Sequence, residues 1–334
     1  MGGGNVMRAF IPQTVSRRAL LGCVAILATS RGSVAQTWPD RPITLVVPFA
    51  AGSSTDIVGR QAARAISEAI GANVVVENRT GAGGIIGTQL VARARPDGYT
   101  LLIVTNSTHA ANTALFRSLP YDPVADFTPI SNLATGPLVL LSHPALPVRT
   151  VQQLVAYGRA NPGKLSYGYS GSSSQIAAAM LLHDGQFEAV GVQYRSIPPQ
   201  VTDLLAGQLH FTFADPSNAL QHISSGAAIG LGITSLARSG LAPDLPTLTE
   251  AGLPGFQLVP WQGIAAPAGT DRAIVARLFE ALRAKYDTPE VRKTFGNLGF
   301  EVTLSESPDA YAAFIQSETR RWGDLVRLAK IEPQ

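Results

Sequence analysis

The chain has 334 residues, 46% hydrophobic and 15% charged, a folded globular composition long enough for one large domain or two of medium size. Its net charge of +3 sits in the first 35 residues, where Arg8, Arg17, Arg18 and Arg31 meet no acidic residue; removing those four from 26 basic residues leaves 22 against 23 acidic. That balance excludes nucleic acid as a partner, and because the single cysteine, Cys23, lies in the same stretch, residues 36–334 offer no disulfide, thiol nucleophile or cysteine metal site.

Residues 1–35 read as a cleavable signal peptide. Arg17 and Arg18 precede an apolar stretch over 19–28, and Ser33-Val34-Ala35 places small residues at the −3 and −1 positions before Gln36. About ten apolar residues are too few to cross a bilayer, so no membrane insertion is expected once the signal is removed. The run from Ser16 to Leu21 also resembles a twin-arginine export signal. Leu20-Leu21-Gly22-Cys23 mimics a lipoprotein box, but too few apolar residues separate Cys23 from the arginines.

Ile43-Thr44-Leu45-Val46-Val47 is an apolar, β-branched run that empties into Pro48-Phe49-Ala50-Ala51-Gly52-Ser53-Ser54-Thr55-Asp56. Val58, Ala62, Ala65, Ile66 and Ala69 then follow at helical spacing, which predicts strand, loop and helix with the loop at the carboxyl end of the strand, where open α/β sheets hold ligands. Ser53 and Asp56 have the spacing of a helix N-cap, so free N–H groups and the positive helix end face this loop, a setting for an anion. Residues 73–78 and 99–104 read as two further strands, emptying into Arg79-Thr80-Gly81-Ala82-Gly83-Gly84 and Thr105-Asn106-Ser107-Thr108-His109. Three βα units in succession argue for a parallel sheet.

From 120 to 147 the chain is richer in proline and less periodic, a domain crossing with short extended segments at 127–133 and 138–141. A second α/β series follows. Thr150 with Gln153 reads as a capping box, and strands at 165–169, 191–194 and 210–214 open on Ser170-Gly171-Ser172-Ser173-Ser174, on the loop 195–199 and on Asp215-Pro216-Ser217. Residues 229–234 form the last strand of that half, 258–266 a returning strand, and helices over 271–286, 288–295 and 307–329 close the chain.

The chain resembles the periplasmic solute-binding proteins of tripartite tricarboxylate transporters, the Bug family. The resemblance rests on Trp38-Pro39-Asp40-Arg41-Pro42-Ile43, Val76-Glu77-Asn78-Arg79-Thr80-Gly81-Ala82-Gly83-Gly84, Arg95-Pro96-Asp97-Gly98-Tyr99, Leu119-Pro120-Tyr121-Asp122, Ala160-Asn161-Pro162-Gly163 and Pro246-Thr247-Leu248-Thr249-Glu250-Ala251-Gly252-Leu253-Pro254-Gly255, with Trp261 and Ala266-Pro267-Ala268-Gly269-Thr270. No single piece is diagnostic; their order and spacing are. It implies an α/β, two-lobed Venus flytrap, each lobe a mostly parallel sheet flanked by helices, with 36–137 and 261–334 in one lobe and 138–260 in the other. It further implies a monomeric periplasmic carrier that closes on a small carboxylate and passes it to a membrane permease, without a cofactor, a metal or a catalytic residue.

Carried over by position, the resemblance implies first-lobe contacts from Phe49, Ala50, Ala51, Gly52, Ser53, Ser54, Thr55 and Asp56, from Gly83 and Gly84, and from Ser107, Thr108 and His109. The second lobe adds Ser170, Gly171, Ser172 and Ser173, then Tyr194 and Arg195, then Asp215. The chain departs from the family where Ser53 replaces a usual glycine, where Tyr194-Arg195-Ser196 replaces Tyr-Lys-Gly, and where Ser174-Gln175 replaces Gly-His.

Other readings stand beside these. Thr55 and Asp56 either cap the helix alone or also touch ligand; His109 is a loop residue or a contact; Phe49 and Tyr194 stack on a flat ligand, with core packing the alternative for Phe49. Arg195 either meets ligand or bridges the cleft as an ion pair, Asp215 either accepts from an ammonium or hydroxyl or caps the helix starting at Pro216, and Trp261 is most simply core. The glycines of 81–87 are one residue off a dinucleotide fingerprint. Gly168-Tyr169-Ser170-Gly171-Ser172 misses the hydrolase elbow at its last position, and the five histidines show no metal-ligand pairing, which leaves an exported hydrolase or a sensor as the alternatives.

Overall fold

The computed structural model describes residues 1–4 and 38–333, and the folded body begins at Arg41. The expected leader features, with Arg17, Arg18, Cys23 and the cleavage site, lie outside the described residues.

The first sheet is laid down by alternation. Strand β1 (Ile43–Val47) is buried along almost its whole length, and helix α1 (Ser54–Ile70) follows it, started by Ser53 Oγ accepting from the Asp56 amide at 3.3 Å and stopped by Gly71 in the left-handed region at φ 69°. Next come β2 (Val74–Asn78), α2 (Ile85–Ala92) and β3 (Thr100–Thr105); beyond β3 a wide π-helical turn over Ser107–Ala111 leads into α3 (Asn112–Leu115). Strand β4 (Phe127–Thr135) ends this half.

The second sheet begins with β5 (Val139–Ser142), followed by α4 (Val151–Ala160), β6 (Leu165–Tyr169), α5 (Ser172–Gly185), β7 (Ala189–Gln193), α6 (Ile197–Leu205), β8 (Phe211–Ala214), α7 (Pro216–Ser224) and β9 (Ile229–Ile233). Thr150 caps α4 as expected, by accepting from the Gln153 amide at 3.2 Å, but Gln153 Oε1 accepts from the Arg149 amide rather than from that of Thr150, so the box is open by one residue. The chain then returns as β10 (Trp261–Pro267), α8 (Arg272–Lys285), α9 (Pro289–Asn297), β11 (Glu301–Val302) and α10 (Pro308–Leu328).

The strand orders are β11-β4-β10-β3-β1-β2 and β7-β6-β8-β5-β9. In the first sheet β1, β2, β3 and β4 point one way, with β10 and β11 reversed; in the second only β5 runs against its neighbours. The two-lobed α/β architecture thus has sheets that are mostly co-directional, each with returning strands inserted antiparallel. The chain crosses between sheets twice, at 136–138 and 258–260, and the crossings are tied together: Gly136 N donates to Pro260 O at 3.2 Å, Leu138 N to Thr234 Oγ1 at 2.8 Å, and Leu258 N to Thr234 O at 3.0 Å. The expected returning strand starts three residues late, at Trp261, because 258–260 belong to this crossing. Trp261 is core, edge-on to Tyr311 and Phe314 of α10. Gly263 is required beside it, since a Cβ there would overlap the Tyr311 hydroxyl.

Candidate functional site: a cavity between the lobes

A cavity of about 90 Å³ lies between the two sheets, walled by the carboxyl ends of their strands. From the first lobe it takes Phe49, Ser53, Ser54 and Thr55 after β1, Thr105 at the end of β3 with Asn106 and Ser107 beyond it, and Gln262 on β10; the crossings add Gly136, Leu138 and Pro260. The second lobe contributes Ser170, Ser173 and Ser174, then Arg195 to Pro198, then Asp215 and Asn218. Four helices, α1, α5, α6 and α7, begin at this cavity. The amides of their first turns have no carbonyl partner within the helix, which gives the walls a positive character. Of the described residues lining it, only Arg195 and Asp215 are charged.

The lobes touch across the cavity rim. Ser172 Oγ donates to Ser107 Oγ at 2.7 Å, and Asn106 Nδ2 donates to Ser173 Oγ at 2.8 Å. With these direct cross-lobe bonds the molecule is in a closed arrangement. They also partition the cleft, because a second, larger chamber of about 690 Å³ lies beyond them, lined by Gly83, Gly84, Gly171, Ser172 and Tyr194 among others. Phe49 and Arg195 line both spaces. Phe49 is held by close packing: Gly84, at φ 90°, has no room for a Cβ, which would sit 2.7 Å from Thr108 Cγ2 and 3.2 Å from the Phe49 ring.

Of the residues predicted for the site, the structure brings Phe49, Ser53, Ser54, Thr55, Ser107, Ser170, Ser173, Arg195 and Asp215 to the inner cavity, and Gly83, Gly84, Gly171, Ser172 and Tyr194 to the outer chamber only. Tyr194 donates to Asp203 Oδ2 at 2.6 Å, and burial together with that carboxylate raises its phenol to about 12. Arg195 forms no ion pair among the described residues, so it does not bridge the cleft.

Six expected contacts line neither space. Ala50, Ala51 and Gly52 form the turn before α1, with Ala51 and Gly52 facing solvent. Asp56 is buried beneath that turn, where Oδ2 accepts from the Gly52 amide and from Arg60 Nε, and Oδ1 accepts from Asn78 Nδ2, each at 2.9 Å. Burial opposes its ionisation, but the Arg60, Gly52 and Asn78 hydrogen bonds outweigh it and hold the carboxyl below its usual range. Asn78 also donates to Phe49 O at 3.0 Å, so the Asp56 network shapes the loop from behind. Thr108 turns inward to Thr105, its Oγ1 accepting from the Thr105 amide at 3.1 Å. His109 is fully buried against Phe127, ring centroids 4.7 Å apart, with Nδ1 at 2.9 Å from Thr108 Oγ1; burial drives its pKa down to about 3, so it is neutral at physiological pH. The π-helical turn explains both, since it rotates Thr108 and His109 into the core, where Thr319 Oγ1 donates to His109 O at 2.9 Å.

Thr105, Asn106, Ser174, Asn218 and Gln262 line the cavity without having been predicted. Two carried a signal: Gln262 is the one side-chain amide in the otherwise apolar strand Trp261–Pro267, and Asn218 lies three residues beyond a capping aspartate. Phe300 gave none, because it reaches the cavity from a distant segment through the space left by the missing side chain of Gly136.

Comparison with known proteins agrees with this geometry. A model of the tripartite tricarboxylate transporter family receptor matches residues 58–331. The chain is similar to the solved structure of R. palustris Rpa4515 with adipate, at 33% identity and a TM-score of 0.85, covering 89% of this chain and 100% of that one. It is similar to the periplasmic binding protein BugD at 33% identity and a TM-score of 0.82, covering 89% and 100%. MatC from Rhodopseudomonas palustris with bound malate shares 34% identity at a TM-score of 0.81, covering 86% and 100%. Sequence signatures, two-lobed fold and interlobe cavity converge: the chain belongs to the tripartite tricarboxylate transporter receptor family, the Bug family of periplasmic solute-binding proteins.

Proposed function

We propose that this protein captures a small organic carboxylate between its lobes in the periplasm and delivers it to a tripartite tricarboxylate-type permease, acting as a monomeric carrier and not as an enzyme. In this reading lobe 1 comprises 36–137 and 261–334, and lobe 2 comprises 138–260. The observation that carries it is the convergence of four helix N-termini and Arg195 on a cavity whose walls otherwise offer hydroxyls and amides. Helix-end amides and serine hydroxyls hold a carboxylate by charge-assisted hydrogen bonds without a full neutralising set of cations. The adipate and malate held by two neighbours at 33% and 34% identity support the ligand class. Because contacts come from both lobes, ligand is gripped fully only when they are together, and binding shifts the equilibrium toward closure.

Calorimetry against a panel of organic acids, with product analysis alongside, tests the reading. One acid binds at micromolar affinity or better and is recovered unchanged; turnover of every acid that binds overturns the carrier in favour of an enzyme. Ser54→Ala with Thr55→Ala, at the opening of α1, weakens that affinity by about tenfold or more at unchanged melting temperature. Unchanged affinity reduces this loop to a helix cap.

A further inference from the structure

The carboxylate reading leaves one group in the cavity with the wrong charge for it. Asp215 is 4% exposed and lines the cavity at the start of α7. Its two oxygens are used very unequally. Oδ1 takes three donors, the Asn218 amide at 3.1 Å, Asn218 Nδ2 at 2.7 Å and Ser217 Oγ at 2.7 Å. Oδ2 is buried and has no hydrogen-bond partner.

Capping α7 needs only the first oxygen, and serine or asparagine supplies one equally well without a charge. A buried carboxylate oxygen without a donor is costly, so the position is explained by a partner that arrives with the ligand. Two further cavity-lining atoms are in the same condition, Gln262 Oε1 on β10 and Ser170 Oγ on the facing loop, both buried and without a partner. Asp215 Oδ2 and Gln262 Oε1 are acceptors only. The hydroxyl-rich loops therefore suit a carboxylate, whereas these two oxygens suit a donor. A second carboxylate placed against Asp215 would meet a like charge in a site closed off from water.

Resting on the carboxylate-carrier reading, we infer that the ligand carries a hydrogen-bond donor besides its carboxylate, a hydroxyl or an ammonium group that Asp215 Oδ2 accepts. The protein is thus selective for hydroxy- or amino-carboxylates over the unsubstituted acid of the same length. Asp215 is the specificity-determining residue, and Arg195 with the α1 helix end serves the carboxylate.

The test is calorimetry on matched sets: succinate, malate and aspartate; glutarate, 2-hydroxyglutarate and glutamate; adipate and 2-aminoadipate. In the set of the right length, a donor-bearing acid binds about tenfold or more tighter than its unsubstituted partner. Asp215→Asn keeps an N-cap, and therefore the melting temperature, while presenting an uncharged group to the ligand; the preference collapses, and the unsubstituted acid binds as well or better. Asp215→Ser, a second capping residue, gives the same collapse if the asparagine variant fails to fold. A larger loss for the amino than for the hydroxy acid identifies the donor as ammonium, and the reverse order identifies it as hydroxyl. Equal affinity within every set, or a preference that survives both variants, overturns this inference and leaves the carrier intact. Binding by no acid, in these sets or in the wider panel of organic acids, overturns the carboxylate reading itself.

Discussion

Closure depends on a hydroxyl pair that Ser172→Ala breaks. Ser172 and Ser107 are 3% and 5% exposed, and their 2.7 Å hydrogen bond joins the lobes. In the closed state the variant leaves the Ser107 hydroxyl without that donor and away from water; with the lobes apart, water satisfies it. Truncating one end of a buried hydrogen bond costs about 1–3 kcal/mol, and the middle of that range lowers the closed-to-open ratio by about 30-fold. Apparent Kd rises by the same factor when the closed state is the minority without ligand. Ser107→Ala with Ser172→Ala removes both hydroxyls and their desolvation cost, so only the net worth of the bond is lost, about 1 kcal/mol or about fivefold. The double variant is therefore milder than Ser172→Ala alone. Residues 36–334 contain no cysteine, so Leu90→Cys and Val190→Cys, 41% and 58% exposed on different lobes, accept a pair of spin labels for ligand-free distance measurements. Pulsed electron resonance then reads the open fraction while calorimetry reads Kd. The reasoning is refuted if Ser172→Ala changes neither, or if the double variant is as impaired as the two single variants summed.

His109 makes stability fall in acid. Its folded pKa of about 3 lies below the ordinary 6.5, so the unfolded chain binds the extra proton and the stabilisation drains away as pH falls from about 6.5 toward 3. At pH 5 the loss is about 2 kcal/mol; urea unfolding at pH 7.5 and pH 5 shows it in the parent and not in His109→Gln, and equal losses in both contradict the assignment. Asp56→Ala strands the Gly52 amide and Asn78 and is expected to cost about 2–4 kcal/mol in the same assay, against about 1 kcal/mol for Ser53→Ala, which deletes only the cap bond. Gly84→Ala forces a Cβ toward Thr108 and Phe49 at φ 90°; it lowers the melting temperature and weakens ligand binding through the displaced Phe49 ring, and full affinity in a folded variant disproves that packing role.

Much of the fold was legible because its signals are local. The β-branched run of β1, Ser53 before α1 and Gly71 after it each specify an element from a few neighbouring residues. Cavity residues at strand ends, such as Ser54, Ser107 and Ser170, were legible for the same reason: topology alone puts those loops at the cleft. Direction within a loop was not. Thr108 and His109 follow Ser107 immediately, yet a single wide helical turn sends them into the core, and no residue type there announces that turn. Asp56 lay in the right loop, but Asn78, 22 residues away, and Arg60 claim its carboxylate. Phe300 and Gly136 meet only through the fold. The division of the cleft by Ser107 and Ser172 is likewise invisible until both lobes are in place, since 65 positions separate the two serines.

The position of β10 carries a consequence for how the chain is made. It lies between β3 and β4 in the first sheet, yet it is encoded after the whole of the second sheet. A nascent chain emerging from its N terminus completes lobe 2 while β3 and β4 still wait for the strand that joins them, with Leu101, Leu102, Ile103 and Val104 along an open edge. Unpaired apolar edges of this kind recruit other chains. The vulnerable interval of biosynthesis therefore runs until residues 261–267 are released, and chains truncated before that point are the ones that quality control has to remove.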